Sequence, residues 1–255
     1  MTAPLVLLHA FPFGPALWSP VVEQLAADPT WRRPILVPAL PGFADTALPT
    51  SPPDLAAAAH EITRAIGFEG PFILGGVSLG GYVAMALARQ RPDLLAGLIL
   101  VDTKASADPP PAQTARLQMA DQADQEPLAL GPLLVAQLLP KLLSDQTFRD
   151  RPSVVEEVRN WLRQAPPEAV AWYQRAMAKR TSSLELLGTL HIPTLVLYGD
   201  QDQLSPVAEQ DQLVAVLREG HRQVIQGAGH LAPMEDPVAV ARAICSFVDV
   251  CVAPA

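Results

Sequence analysis

PFILGGVSLGGYVAMALA, residues 71–88, passes from a short apolar run through two glycine pairs into an alanine-rich segment, with Ser78 between the pairs. A strand, a G-x-S-x-G turn and a helix in that order set a serine in a sharp, strained turn, with its hydroxyl above the carboxyl end of the strand. Glycine two residues to either side then admits the close backbone approach the turn requires. The pentapeptide alone says little, because a chain of this length holds one by chance roughly one time in ten. Its place between a strand and a helix gives it weight.

Outward from this stretch the chain repeats one rhythm. Short β-branched and leucine runs at Leu5–His9, Ile35–Val37, Phe72–Leu74, Leu98–Val101, Thr194–Tyr198 and Gln223–Ile225 read as strands, and their near-continuous apolarity fits a parallel sheet covered on both faces. Between them, LWSPVVEQLAA, PPDLAAAAHEITRAIG, LGGYVAMALARQ, SPVAEQDQLVAVLREG and DPVAVARAICSFVDV carry apolar residues at helical spacing. Ser205-Pro206 and Asp236-Pro237 read as cap and first-turn pairs. Residues 105–190 lack a strand signal and predict helices near 112–125, 128–143, 153–164 and 167–179. An insertion of that size is no simple crossover. The expected organisation is therefore a sheet-containing core of residues 1–104 and 191–255, with a helical cap of residues 105–190 over the sheet's edge.

Composition narrows the chemistry. The 255 residues, 49% of them hydrophobic, suffice for a large single core, and a formal net charge of -8 argues against a phosphate-binding surface for nucleic acid. The opening MTAPLVLLHA lacks a basic residue and does not read as a signal peptide, and no run of roughly 20 apolar residues predicts a membrane span. The expectation is a cytoplasmic protein acting on small neutral or apolar molecules. Cys245 and Cys251 do not make a disulfide framework or a zinc site, and the acidic and histidine positions do not converge at metal-ligand spacing, so no metal or other cofactor is expected. The 27 prolines stiffen the loops.

A serine hydroxyl becomes a useful nucleophile only when an imidazole takes its proton and a carboxylate holds that imidazole's tautomer. Of the five histidines, His230 follows the last expected strand in the glycine-flanked loop QGAGHLAPMEDP, at the sheet edge where ligands bind in open α/β folds. His60 falls in a helix, His191 precedes a strand and His221 lies in the turn before the last strand, so each reads as structural or solvated. For the acid, GDQDQLSP offers Asp200 and Asp202; Asp202 is preferred because Asp200 follows Gly199 and suits the turn. Asp102, ending LILVD, is a second choice at the same edge.

The order Ser78, Asp202, His230, with HAFPFG, LPGFADT, GVSLGGYVAMALA, GDQDQLSP and GAGHLAPMEDP in sequence, resembles the α/β-hydrolase superfamily, in particular its small carboxylesterase, haloperoxidase and enol-lactonase-like group. The resemblance covers nearly the whole chain and is weakest in the cap. It implies a three-layer α/β fold with a mostly parallel sheet and a serine hydrolase cleaving small carboxylic esters or lactones through an acyl-Ser78 intermediate. Relatives carry His-Gly-x after the first strand where this chain has His9-Ala10-Phe11. By that match the Phe11 N–H joins the Leu79 N–H as an oxyanion-hole donor, while His9 braces the loop. Many relatives begin with a two-strand hairpin for which this chain has no room, so about six strands are expected.

Phe13, Met119, Trp161 and Leu231 are the expected walls of an apolar substrate pocket, with Trp18 and Trp172 further possibilities among residues that mostly serve as core. The cap cations Arg116, Arg149, Arg151, Arg159, Arg163, Arg175, Lys179 and Arg180 read as solvated helix faces, with a substrate carboxylate as the alternative for one of them. The same triad could instead cleave a carbon–carbon bond or carry out cofactor-free perhydrolysis, and a ligand receptor would bind without turnover. Substrate identity and oligomeric state are not legible at this level.

Overall fold

Each apolar run found in the sequence forms a strand, and the strands align with one polarity. The computed structural model describes residues 3–67 and 70–251. Residues 1, 2, 68, 69 and 252–255, which fall within the expected core segments, lie outside the described residues. Among the described residues the strands are β1 (Leu5–Leu8), β2 (Ile35–Leu36), β3 (Phe72–Val77), β4 (Leu95–Val101), β5 (Thr194–Gly199) and β6 (Gly220–Ile225). They form one sheet of order β2-β1-β3-β4-β5-β6 in which every neighbouring pair is parallel. β1, β3 and β5 are buried along their full length, the condition of strands covered on both faces.

The helices are α1 (Ser19–Ala27), α2 (Leu55–Ile66), α3 (Leu79–Gln90), α4 (Pro110–Gln125), α5 (Pro127–Leu142), α6 (Asp145–Asp150), α7 (Pro152–Arg163), α8 (Pro167–Lys179), α9 (Leu184–Thr189), α10 (Val207–Val216), α11 (Ala232–Glu235) and α12 (Pro237–Val250). Helices α4 to α9 occupy the strand-free interval between β4 and β5, where α4 packs on α8 and α5 on α7. Proline opens α4, α5, α7 and α8, where its fixed φ fits and its missing N–H costs nothing.

Several boundaries depart from expectation for physical reasons. β3 runs on through Gly75 and Gly76 to Val77, because these glycines admit a close neighbour: a Cβ on Gly75 would stand 2.7 Å from Leu7 Cδ2. β6 begins at Gly220, so His221 lies within the strand and not in the turn before it. It is an edge strand with its first four residues exposed, and exposure removes the apolar pattern by which strands are recognised. The Asp236 side chain caps α12 by accepting from the Ala239 N–H at 2.9 Å, as its sequence suggested. Ser205 does not cap α10. Pro206 takes the cap position, which frees the Ser205 hydroxyl for the contact described below.

Candidate active site

β3 delivers Ser78 into a backbone that few residues adopt, with φ 54° and ψ -111°. Such a conformation costs roughly 1–3 kcal/mol and persists only where its surroundings dictate it. Here the Ser78 N–H donates to the Val101 carbonyl at 2.9 Å, and the Thr103 hydroxyl donates to the Ser78 carbonyl at 2.9 Å. Both flanking glycines are sterically required. A Cβ on Gly76 would lie 2.2 Å from the Gly80 carbonyl carbon, and one on Gly80 would lie 2.3 Å from the Leu8 oxygen.

Three loops after three strands bring Ser78, Asp202 and His230 together. His230 Nε2 lies 2.8 Å from Ser78 Oγ, and its Nδ1 lies 2.9 Å from each Asp202 carboxylate oxygen. Asp202 also accepts from the N–H groups of Leu204 at 2.8 Å and Ser205 at 3.0 Å, and from the Ser205 hydroxyl at 2.5 Å. Burial disfavours the Asp202 charge, but the adjoining His230 imidazole and these hydrogen bonds outweigh it and hold the carboxyl down to about 2. Asp202 is therefore an anion throughout neutral pH. With Asp202 accepting at Nδ1, the neutral imidazole carries its proton there and offers the Nε2 lone pair to Ser78.

Asp102, the alternative acid, does not reach His230. Its two oxygens accept from the Gly199 N–H at 2.9 Å and the Ala232 N–H at 3.0 Å, tying together the loops that carry Asp202 and His230. Complete burial, then the neighbouring Asp202 charge, push its carboxyl well above the usual carboxylate range. Asp200 shapes the turn as expected, accepting from the Gly227 N–H at 2.8 Å. Of the other histidines, His60 sits in α2 and His191 pairs with Arg218 at 2.6 Å, away from Ser78.

The loop after β1 is fixed by His9. Its ring is fully buried, with Nδ1 donating to the Ala10 carbonyl at 3.0 Å and Nε2 accepting from the Leu40 N–H at 2.9 Å. Burial outweighs the Ala10 contact and lowers the imidazole to about 4. The unfolded chain, with His9 near 6.5, thus binds more protons than the folded one between those values, so this neutral ring favours folding above about pH 6.5 and the contribution is lost as pH falls toward 4. The loss is on the order of 3 kcal/mol. Urea melts from pH 7 to 4.5 should show it in the native chain and a flatter slope in His9→Gln; equal slopes would remove His9 as the cause. Beside this ring, Phe11 lines the cavity that contains Ser78 and His230. Among the described residues neither the Phe11 nor the Leu79 amide donates to a protein acceptor, and Leu79 opens α3.

That cavity, of about 380 Å³, lies between the carboxyl ends of the strands and helices α4, α5 and α8. Met119 is on its wall, as expected, with Leu138, Leu142, Met177 and Leu204. Phe13, Trp161 and Leu231 are not. Phe13 and Trp161 pack against each other with ring centroids 5.8 Å apart, and Leu231, the residue after His230, is fully buried. The wall is also more charged than an apolar pocket: Lys104, Asp108, Arg116 and Lys141 all line it. Arg116 and Arg180, read as solvated, instead hold the buried Asp108 at 2.5 and 3.0 Å, and Lys104 approaches the same carboxylate at 3.3 Å. A second cavity of about 230 Å³ shares Tyr82 and Lys104 with the first but contains neither Ser78 nor His230.

Two further residues, which nothing in the sequence singles out for this site, support it. Ser205 presents its hydroxyl to Asp202 and lies 3.3 Å from His230 Nδ1. Glu235, buried, accepts from the N–H groups of Gly229 at 2.9 Å and Ser144 at 2.8 Å and from the Thr147 hydroxyl at 2.7 Å, joining the histidine loop to α6. Only the structure shows that these ordinary polar residues are buried.

The family model described as "alpha/beta hydrolase fold" matches residues 3–237. A thermophilic esterase from Thermogutta terrifontis is similar at 35% identity and a TM-score of 0.91, covering 98% of this chain and 91% of that one. The pimeloyl-[acyl-carrier protein] methyl ester esterase of Aromatoleum aromaticum is 28% identical over 244 residues, which are 91% of this chain and 93% of that protein. The polyketide synthase ThaQ of Burkholderia thailandensis is 28% identical over 235 residues, and there the chain spans only 11% of the larger protein.

Proposed function

The chain belongs to the alpha/beta hydrolase fold family, and we propose that it is a carboxylic ester hydrolase cleaving small esters or lactones through an acyl group carried on Ser78. The observation that carries this reading is the continuous path Ser78 Oγ, His230 Nε2, His230 Nδ1 and Asp202, with separations of 2.8 and 2.9 Å. Two named esterases among the similar proteins support it.

In this reading His230 takes the Ser78 proton as the oxygen attacks the acyl carbon, and Asp202 stabilises the imidazolium that forms. The Phe11 and Leu79 N–H groups receive the developing oxyanion, with the positive end of α3 behind Leu79. His230 then protonates the leaving alkoxide. A water, deprotonated by the same ring, attacks the acyl-serine, releasing the acid and restoring Ser78. Helices α4 to α9, within residues 105–190, act as the lid that shapes the acyl pocket and sheds water. Only the neutral imidazole can accept the Ser78 proton.

The test is a series of p-nitrophenyl esters from acetate to decanoate, with γ-lactones and a dienone acid alongside. Preference is expected for acyl chains short enough for a cavity of about 380 Å³, with activity declining at longer chains. Turnover confined to the dienone acid would replace ester cleavage with carbon–carbon cleavage, and binding without turnover would make the protein a receptor.

A further inference from the structure

Resting on the reading of the Ser78 cavity as an ester site, we propose that it selects esters bearing a carboxylate elsewhere in the molecule, and that Arg116 and Lys104 hold that carboxylate. The chain as a whole carries a net charge of -8, yet the wall of this cavity presents three cations, Lys104, Arg116 and Lys141, against the single carboxylate of Asp108. Asp108 cannot balance them. Its side chain is 1% exposed and is already shared by Arg116 at 2.5 Å, Arg180 at 3.0 Å and Lys104 at 3.3 Å, the last two on one oxygen.

The cluster is built to leave donors unspent. Arg116 uses Nε on Asp108 and Nη1 on Gln174 Oε1 at 3.2 Å, with Met177 Sδ at 3.3 Å, whereas its Nη2 has no partner among the described residues. Asp108 is the acceptor near Lys104 Nζ, which leaves that ammonium further N–H groups. Both side chains are mostly buried, 22% and 17% exposed, so water screens them poorly, while Asp108 and the ring of Tyr82 under Arg180 at 4.2 Å fix the cluster from behind. Cations held partly out of water in excess of their counter-ions favour an incoming anion, and a carboxylate can accept from the free Nη2 of a fixed guanidinium. Asp108 thus acts as a positioning residue, and Arg116 and Lys104 as specificity determinants.

Two anionic substrates, each against its amide-capped neutral match, test the proposal. Mono-p-nitrophenyl glutarate carries its carboxylate on the acyl side, and 4-(butyryloxy)benzoate carries it on the leaving group. We expect kcat/KM for at least one anionic ester to exceed that of its neutral match by roughly tenfold or more, the scale of one charge-assisted hydrogen bond. That ratio should fall by a similar factor in Arg116→Gln and Lys104→Met, through KM more than kcat. Free glutarate should also inhibit the native chain competitively, less so at high salt, and glutaramide should not; this arm needs no variant. Equal or lower rates on both anionic esters, a ratio unchanged in both variants, or no inhibition by glutarate overturns the proposal. Hydrolysis of the neutral esters lost in Ser78→Ala would then still support the esterase reading, while failure to hydrolyse any ester would sink that reading and leave glutarate binding by calorimetry as the test of the subsite.

Discussion

Ser78→Ala is expected to lower kcat on p-nitrophenyl butyrate by about 10⁴- to 10⁶-fold, the range that follows loss of an activated serine nucleophile. His230 and Asp202 remain in place in this variant, but the imidazole has no oxygen to deprotonate, and water entering the gap lacks the fixed 2.8 Å approach. What survives comes from the oxyanion donors and from binding alone. Stability should barely change, because the Ser78 side chain makes no cap to α3 and the strained backbone is held by main-chain and Thr103 contacts that alanine keeps. Steady-state kinetics together with a thermal melt check both halves. A variant within tenfold of the native rate would exclude Ser78 as nucleophile.

Asp202→Asn is expected to cost about 10⁴-fold in kcat with little change in KM. The two backbone N–H groups of Leu204 and Ser205 point at Oδ1 and will keep the amide oxygen on their side. The amide nitrogen then faces His230 Nδ1 as a donor and forces the ring proton onto Nε2, where it meets Ser78 Oγ and cannot accept. Asp202→Ala removes the acid without reversing the tautomer, so it is expected to retain more activity than the isosteric amide. Kinetics on the two variants decide this, and the reverse order would contradict the tautomer argument.

The proposed triad was legible as a cluster because each member stands directly after a strand in a parallel sheet, and a parallel sheet places all such loops at one edge. Ser78, Asp202 and His230 could therefore be brought together from chain order alone; the serine turn itself pointed to the Leu79 N–H, and the family resemblance added Phe11. The pocket was less legible. Phe13 and Trp161 have the size and polarity of pocket residues, but packing against each other satisfies the same chemistry. Arg116 and Asp108 lie eight residues apart across a loop and a helix start, and no periodicity marks their pairing. Glu235 looks like a solvated loop residue, and Ser205 like a helix cap, until burial is known. β6 extends three residues further toward its amino end than its apolar run suggests, because an exposed edge strand has no apolar face to display.

The central claim is that Ser78 is the activated nucleophile of an ester hydrolase, and its most direct test is intact-protein mass spectrometry after exposure to diisopropyl fluorophosphate, followed by peptide mapping. The native chain is predicted to gain one phosphoryl adduct, located on Ser78, with loss of esterase activity in step with labelling. Ser78→Ala should gain none, and Asp202→Asn should label far more slowly. An adduct on any other residue, or inactivation that proceeds equally in Ser78→Ala, would contradict the account.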